Sequence, residues 1–179
     1  MLIFITIIAL LLIVASMFNK LVRAKNHVQE ASADINVQLK RRFDLIPNLI
    51  ETVKGYMNHE KEVLEKITQL RSQALSTKDF KESDKINSEI SKNISNIVVA
   101  FENYPDLKAN TNFLSLQTEL VDTENKIQAA RRFYNNVTKD YNILIESIPT
   151  NLFAKIFNHE KKPLLEISVQ ESQNVVVKF

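Results

Sequence analysis

The chain has 179 residues, a formal net charge of +2, one glycine, four prolines and no cysteine. A charge this balanced leaves no electrostatic footprint for nucleic acid, and the missing thiols exclude disulfides, thiolate metal sites, cysteine nucleophiles and a lipidated N-terminal cysteine. So little glycine cannot supply the turns of a β-protein, so the composition predicts long helices joined by few loops.

Residues 2–18, LIFITIIALLLIVASMF, carry no charge and only two polar side chains, Thr6 and Ser16. A helix of that length rises roughly 25 Å, near the short end of what spans a bilayer core. No Lys or Arg precedes the run, and VASM lacks a small residue where a cleavage site needs one, so an uncleaved anchor is expected rather than a signal peptide. Lys20, Arg23 and Lys25 follow directly, with Lys40, Arg41 and Arg42 further on. Positive flanks stay on the cytoplasmic side, which predicts a single-pass cell-membrane protein with its N-terminus outside and its C-terminal domain in the cytoplasm.

Beyond the anchor, steps of four and three run through Ile35, Leu39, Arg42, Ile46, Leu49, Val53, Tyr56, Glu60, Val63, Ile67, Leu70 and Ala74. That spacing makes a bundle seam. Its phase survives both Pro47 and Gly55, so one long helix, kinked at Pro47, is expected rather than two. The proline leaves the carbonyl of Phe43 without its helical partner. Asp44 and Asn48 flank that weak point with polar groups able to satisfy the freed backbone.

Residues 76–79, STKD, mark the first break, and Phe80, Ile86, Ile90, Ile94, Ile97, Val98 and Phe101 form the stripe of the next helix. NYPDLKANTN, residues 103–112, reads as a loop: Pro105 disfavours helix at Tyr104, and the closing Asn and Thr can cap the next helix. The third helix carries Phe113, Leu116, Leu120, Thr123, Ile127, Ala130, Tyr134, Val137, Tyr141, Leu144 and Ile148, and Pro149 closes it. Residues 150–157 suit a short final helix. After Pro163, LLEISV and NVVVKF read as a strand, a weak hairpin or an extended tail.

The expected architecture is all-α: an up-and-down bundle of three to four long helices after an N-terminal transmembrane helix, with a short extended C-terminal tail. Composition divides it into an anchor over residues 1–22, a bundle over 23–150, and a short helix with tail over 151–179.

Chemistry-bearing motifs are missing. None of the three histidines has a glutamate three positions before it, as di-iron bundle sites require. His59-Glu60 does not continue to HExxH, because Val63 stands where the second histidine belongs. The histidines read as solvated surface residues. One glycine cannot build a phosphate-cradling loop, and no nucleophile elbow is present. No catalytic residue, metal ligand, cofactor or nucleic-acid partner is expected. What remains are ions on the seams: Arg42 and Glu60 at core positions, Glu124 and Arg131 one position past seam residues. A buried arginine needs a carboxylate from another helix. Glu124 is the candidate partner for Arg42, and Arg131 for Glu60, and polar seam residues of this kind set helix register. A ligand pocket or metalloenzyme site built on the same four residues is the alternative.

Three stretches in order, VQLKRRFDLIPNLIETVKGYMNHE, YPDLKANTNFLSLQTEL and TENKIQAARRFYNNVTKDYN, closely resemble the LemA family of bacterial membrane proteins. The resemblance implies an anchored helical bundle with no assigned enzymatic activity and hints at a setting near membrane-protein quality control. By position, its characteristic residues are Arg42, Asp44, Pro47 and Asn48; Tyr104, Pro105, Leu107 and Asn110; and Glu124, Asn125, Arg131, Tyr134, Asn135 and Asn142. The tail is less family-like. The expected function is a membrane-anchored scaffold or adaptor for an unidentified membrane or cytoplasmic protein, able to associate with itself, and tethered through residues 2–18 in the lipid bilayer.

Overall fold

The computed structural model describes residues 1–56, 61–77 and 79–165. It consists of α1 (Leu2–Val53), α2 (Lys61–Ser76), α3 (Phe80–Ala100), a 3₁₀ turn (Phe101–Asn103), α4 (Pro105–Lys108), α5 (Thr111–Glu146) and α6 (Thr150–Ile156). No strand occurs among the described residues, so the all-α bundle is confirmed. The strand or hairpin expected in the tail falls mostly on residues 166–179, outside the described residues.

Packing groups the chain into two units. The first takes Met1–Ile35 with Ala129–Leu164; the second takes Asn36–Gln128 and, beyond Leu164, the described residue Leu165. The sequence boundaries at residues 22 and 150 mark changes of composition. Packing divides the chain elsewhere because α1 and α5 each contribute to both units.

The second unit holds the main core, with Phe43, Ile46, Leu49 and Val53 from α1, Leu64, Ile67 and Leu70 from α2, and Ile86, Ile90, Ile94 and Ile97 from α3. Phe101, Leu107, Phe113, Leu116 and Leu120 complete it. The predicted stripes of α2, α3 and α5 supply most of these residues. Asp79 caps α3, its Oδ1 accepting from the amide of Glu82 at 2.8 Å. Residues 103–112 are more ordered than a loop. Pro105 sits in the first turn of α4, where its missing amide costs nothing, and Asn110 caps α5 by accepting from the amides of Asn112 and Phe113.

One expectation fails. The seam from Ile35 to Ala74 is not one helix: α1 stops at Val53, a turn covers Lys54 to Tyr56, and α2 begins at Lys61. In a continuous helix Phe43 and Arg71 would stand about 42 Å apart. Instead the Arg71 Nε donates to the Phe43 carbonyl at 2.8 Å, so α2 folds back along α1. Periodicity cannot detect this, because two helices sharing one core show the same stripe whichever way the chain runs. Tyr56, placed on the seam, is exposed.

In the first unit the α1 seam extends back from Ile35 through Ala31, Val28 and Leu21, all buried. Tyr134, Thr138, Tyr141, Asn142 and Ile145 are the buried face of α5 there. Helix α6 ends in a Schellman arrangement: Asn158 adopts φ 52°, and the amide of His159 donates to the Ala154 carbonyl at 2.8 Å. That turn sends residues 159–163 along α5.

Candidate functional site

The second unit encloses a polar layer drawn from three helices. Arg42 occupies the seam of α1 between Leu39 and Ile46, and only 1% of it is exposed. Its Nη1 donates to Ser91 Oγ at 2.7 Å and to Glu124 Oε2 at 3.1 Å. Its Nη2 donates to Asn87 Oδ1 at 2.5 Å and to the Asn87 carbonyl at 3.4 Å. The Ser91 hydroxyl in turn donates to Glu124 Oε1 at 2.9 Å. Asn87 is oriented by its amide, which donates to the Ser83 carbonyl at 2.8 Å.

The geometry is that of a charged group whose hydrogen bonds are directed at fixed internal acceptors. A charge buried this deeply is tolerable only when paired and hydrogen-bonded. Glu124 stands at the rim, with 29% of its side chain exposed. Just outside, Arg41 reaches Asp122 at 3.4 Å. Asp122 also accepts from Lys126 at 2.9 Å, and that bond, with the two positive charges, holds its carboxyl below the usual range.

Of the four ions expected in one layer, the structure brings together Arg42 and Glu124. Glu60 lies outside the described residues. Arg131 belongs to the first unit, while Glu124 belongs to the second. The layer is completed instead by Asn87 and Ser91, which sequence reasoning missed. Their signal was present: four residues apart, each one position past a seam residue (Ile86, Ile90), the offset that Glu124 has from Thr123.

The proline site also differs from expectation. Asp44 is exposed and pairs with Lys40 at 3.2 Å, and Pro47 and Asn48 are exposed. The carbonyl that Pro47 strands is satisfied by Arg71, from another helix. Tyr104 is half-buried against the core and Leu107 is fully buried. Asn125 is exposed, and Asn135 is half-buried on α5.

In the first unit, two buried side chains of α5 hold the segment after α6. The Tyr134 hydroxyl donates to the Pro163 carbonyl at 3.0 Å. Asn142 makes a two-point clamp, donating to the Lys162 carbonyl at 2.8 Å and accepting from the Lys162 amide at 2.9 Å. Asn142→Ala removes both bonds and should weaken local closure by about 1–2 kcal/mol. Trypsin cleavage after Lys161 is then expected to rise roughly tenfold while the rest of the chain resists; an unchanged cleavage rate would show that the clamp is dispensable.

His159, expected to be solvated, is instead half-buried, with Nδ1 3.1 Å from the Tyr141 hydroxyl. Burial, then Lys25 and Lys162, lowers its pKa below the ordinary 6.5. Burial, then the charge of Glu160, raises that of Tyr141, and burial raises that of Tyr134. A depressed folded pKa means that the unfolded chain binds the proton more readily. The stabilisation from neutral His159 is therefore full above pH 6.5, falls as the pH drops below it, and levels off below the folded value. Chemical denaturation at pH 7 and pH 5 should show a larger acid loss in the parent chain than in His159→Gln; parallel losses would refute the assignment.

Residues 31–179 match the family model described as LemA family. Protein LemA of Metamycoplasma hominis is 36% identical over 139 residues, which is 76% of this chain and 63% of that protein. The chain thus spans less than two thirds of that relative's length. The family match covers the polar layer, the proline site and the α5 clamp alike, and on that footing the chain belongs to the LemA family.

Proposed function

We propose that this protein is a membrane-tethered helical adaptor that works by binding another protein rather than by catalysis. Residues 2–18 form its anchor, with the N-terminus outside and the bundle in the cytoplasm. The observation that carries the reading is the contrast between the two ends of α1. At the start, residues such as Leu2, Ile3 and Phe4 stand 78%, 77% and 68% exposed, an apolar surface that no other described part of the chain covers. Helix α1 is long and apolar enough, by length and composition, to cross a membrane. Further along, Arg42, the one deeply buried charge among the described residues, directs its hydrogen bonds at neighbouring helices.

Lys20, Arg23 and Lys25 support the orientation. Tethering concentrates the bundle near partners in or at the same membrane, so modest affinity suffices. The test is in-membrane crosslinking at native expression followed by co-purification. A specific protein should be captured by the full chain and lost when residues 2–18 are deleted. Recovery of no partner, or equal recovery without the anchor, would contradict the reading. Protease added to intact cells should spare the C-terminal tail; digestion of the tail would place the bundle on the other side.

A further inference from the structure

Helix α6 wears its apolar side outward. Its buried positions are Thr150 and Ala154, one turn apart. The Thr150 hydroxyl donates to the carbonyls of Leu144 and Ser147, at the end of α5. Ala154 is small enough to let the helix sit close. This docking leaves Leu152 62% exposed and Ile156 68% exposed, beside Ile148 at 85% and Phe157 at 42%. A surface facing only water favours the reverse orientation, and large apolar side chains grouped in this way mark a contact surface.

The position of α6 indicates what it contacts. The Phe157 ring meets that of Phe18, the last residue of the apolar run, edge-on with centroids 4.8 Å apart. At the other end of α6, Ile148, Pro149 and Thr150 line a cleft of about 670 Å³ together with Ser16, Met17 and Lys20. Both ends of α6 therefore lie near the turn of α1 where the apolar run gives way to Lys20, Arg23 and Lys25. Lys155 adds an exposed cation on α6 itself. The acid at the end of α5, Glu146, is paired with Lys161 at 2.8 Å. A short helix with a bulky apolar face, fringed by cations and level with the end of a span, has the chemistry of the bilayer interface.

We propose that α6 is a membrane-interface helix. Ile148, Leu152, Ile156 and Phe157 enter the boundary between headgroups and acyl chains, and Lys20, Arg23 and Lys155 lie at the lipid phosphates. The inference rests on reading residues 2–18 as a span. A span alone leaves the protein free to turn about α1. A second contact fixes that rotation and therefore which surface of the unit faces its neighbours.

The chain contains no tryptophan, so single tryptophans report their own depth. The full chain is reconstituted into vesicles of phosphatidylcholine and phosphatidylglycerol carrying a nitroxide either at the headgroup or deep in the acyl chain. Four variants are compared: Leu152→Trp, Ile156→Trp, Leu11→Trp in the apolar run, and Val37→Trp, about 28 Å along α1 from Phe18. The two α6 tryptophans should lose most of their emission to the headgroup nitroxide and little to the deep one. Leu11→Trp should respond to the deep probe, and Val37→Trp to neither. Leu11→Trp quenched with both α6 tryptophans unquenched overturns the proposal and leaves the anchor standing. Blue-shifted but unquenched α6 emission also overturns it, since a protein or a second copy would then cover the face. Failure of Leu11→Trp to respond removes the span and the proposal together.

Discussion

Glu124→Ala is expected to lower the unfolding free energy of the full chain by about 3–5 kcal/mol, near the upper range for a single substitution. The loss arises on the arginine side. Arg42 is 1% exposed, and without the carboxylate its buried charge loses this ion pair while keeping its hydrogen bonds to Asn87 and Ser91. Arg42→Met should cost less. The carboxylate it leaves behind is 29% exposed and can hydrate in place. Removing both charges together, as Arg42→Met with Glu124→Leu, should recover much of the loss, because no ion is then left in the interior. Chemical denaturation in detergent, followed by far-UV circular dichroism, orders the three variants. Equal costs for the two single changes would show that Arg42 reaches water more readily than its burial implies.

The second large effect concerns the proline. Arg71→Met should cost about 1–3 kcal/mol, the penalty for leaving a partly buried carbonyl unpaired. The carbonyl in question is that of Phe43, freed because Pro47 has no amide to offer it. Pro47→Ala restores that amide, so in the Pro47→Ala background Arg71→Met should cost less than half as much. Such non-additivity is the signature of two residues serving one acceptor. Additive costs would mean that Arg71 stabilises the α1–α2 hairpin by some other route.

Much of this arrangement was legible in the sequence, and the illegible parts share a cause. Ile86, Ile90, Ile94 and Ile97 announced α3 because helical period is a local property. Arg42 announced a buried ion pair because a charge on a seam has few alternatives, and Glu124 answers it. By contrast, the reversal between α1 and α2 leaves no mark on the period, and Gly55 has no positive φ and no crowded Cβ position to signal it. No periodicity or motif marked Arg71, since its acceptor is a backbone atom of another helix. Tyr134 read as a stripe residue of the third helix, and Asn142 stood out only through family resemblance. Their acceptors are main-chain groups of Pro163 and Lys162, and no side-chain pattern encodes those.

The inverted face of α6 belongs to the same class. Residues 150–157 read simply as a short final helix, and only the docking of Thr150 and Ala154 shows which way Leu152 and Ile156 turn. Sequence gives the composition of a face; the neighbouring elements decide what it looks toward.

The central claim is that the polar layer holds the helices in register while the protein acts through its surfaces at the membrane. The Arg42→Met, Glu124→Leu double variant, expressed at native level and crosslinked in the membrane, tests this most directly. The account predicts an intact helical fold and the same captured protein as the parent chain. An intact fold with the captured protein lost would make the polar layer itself the working site and contradict the account.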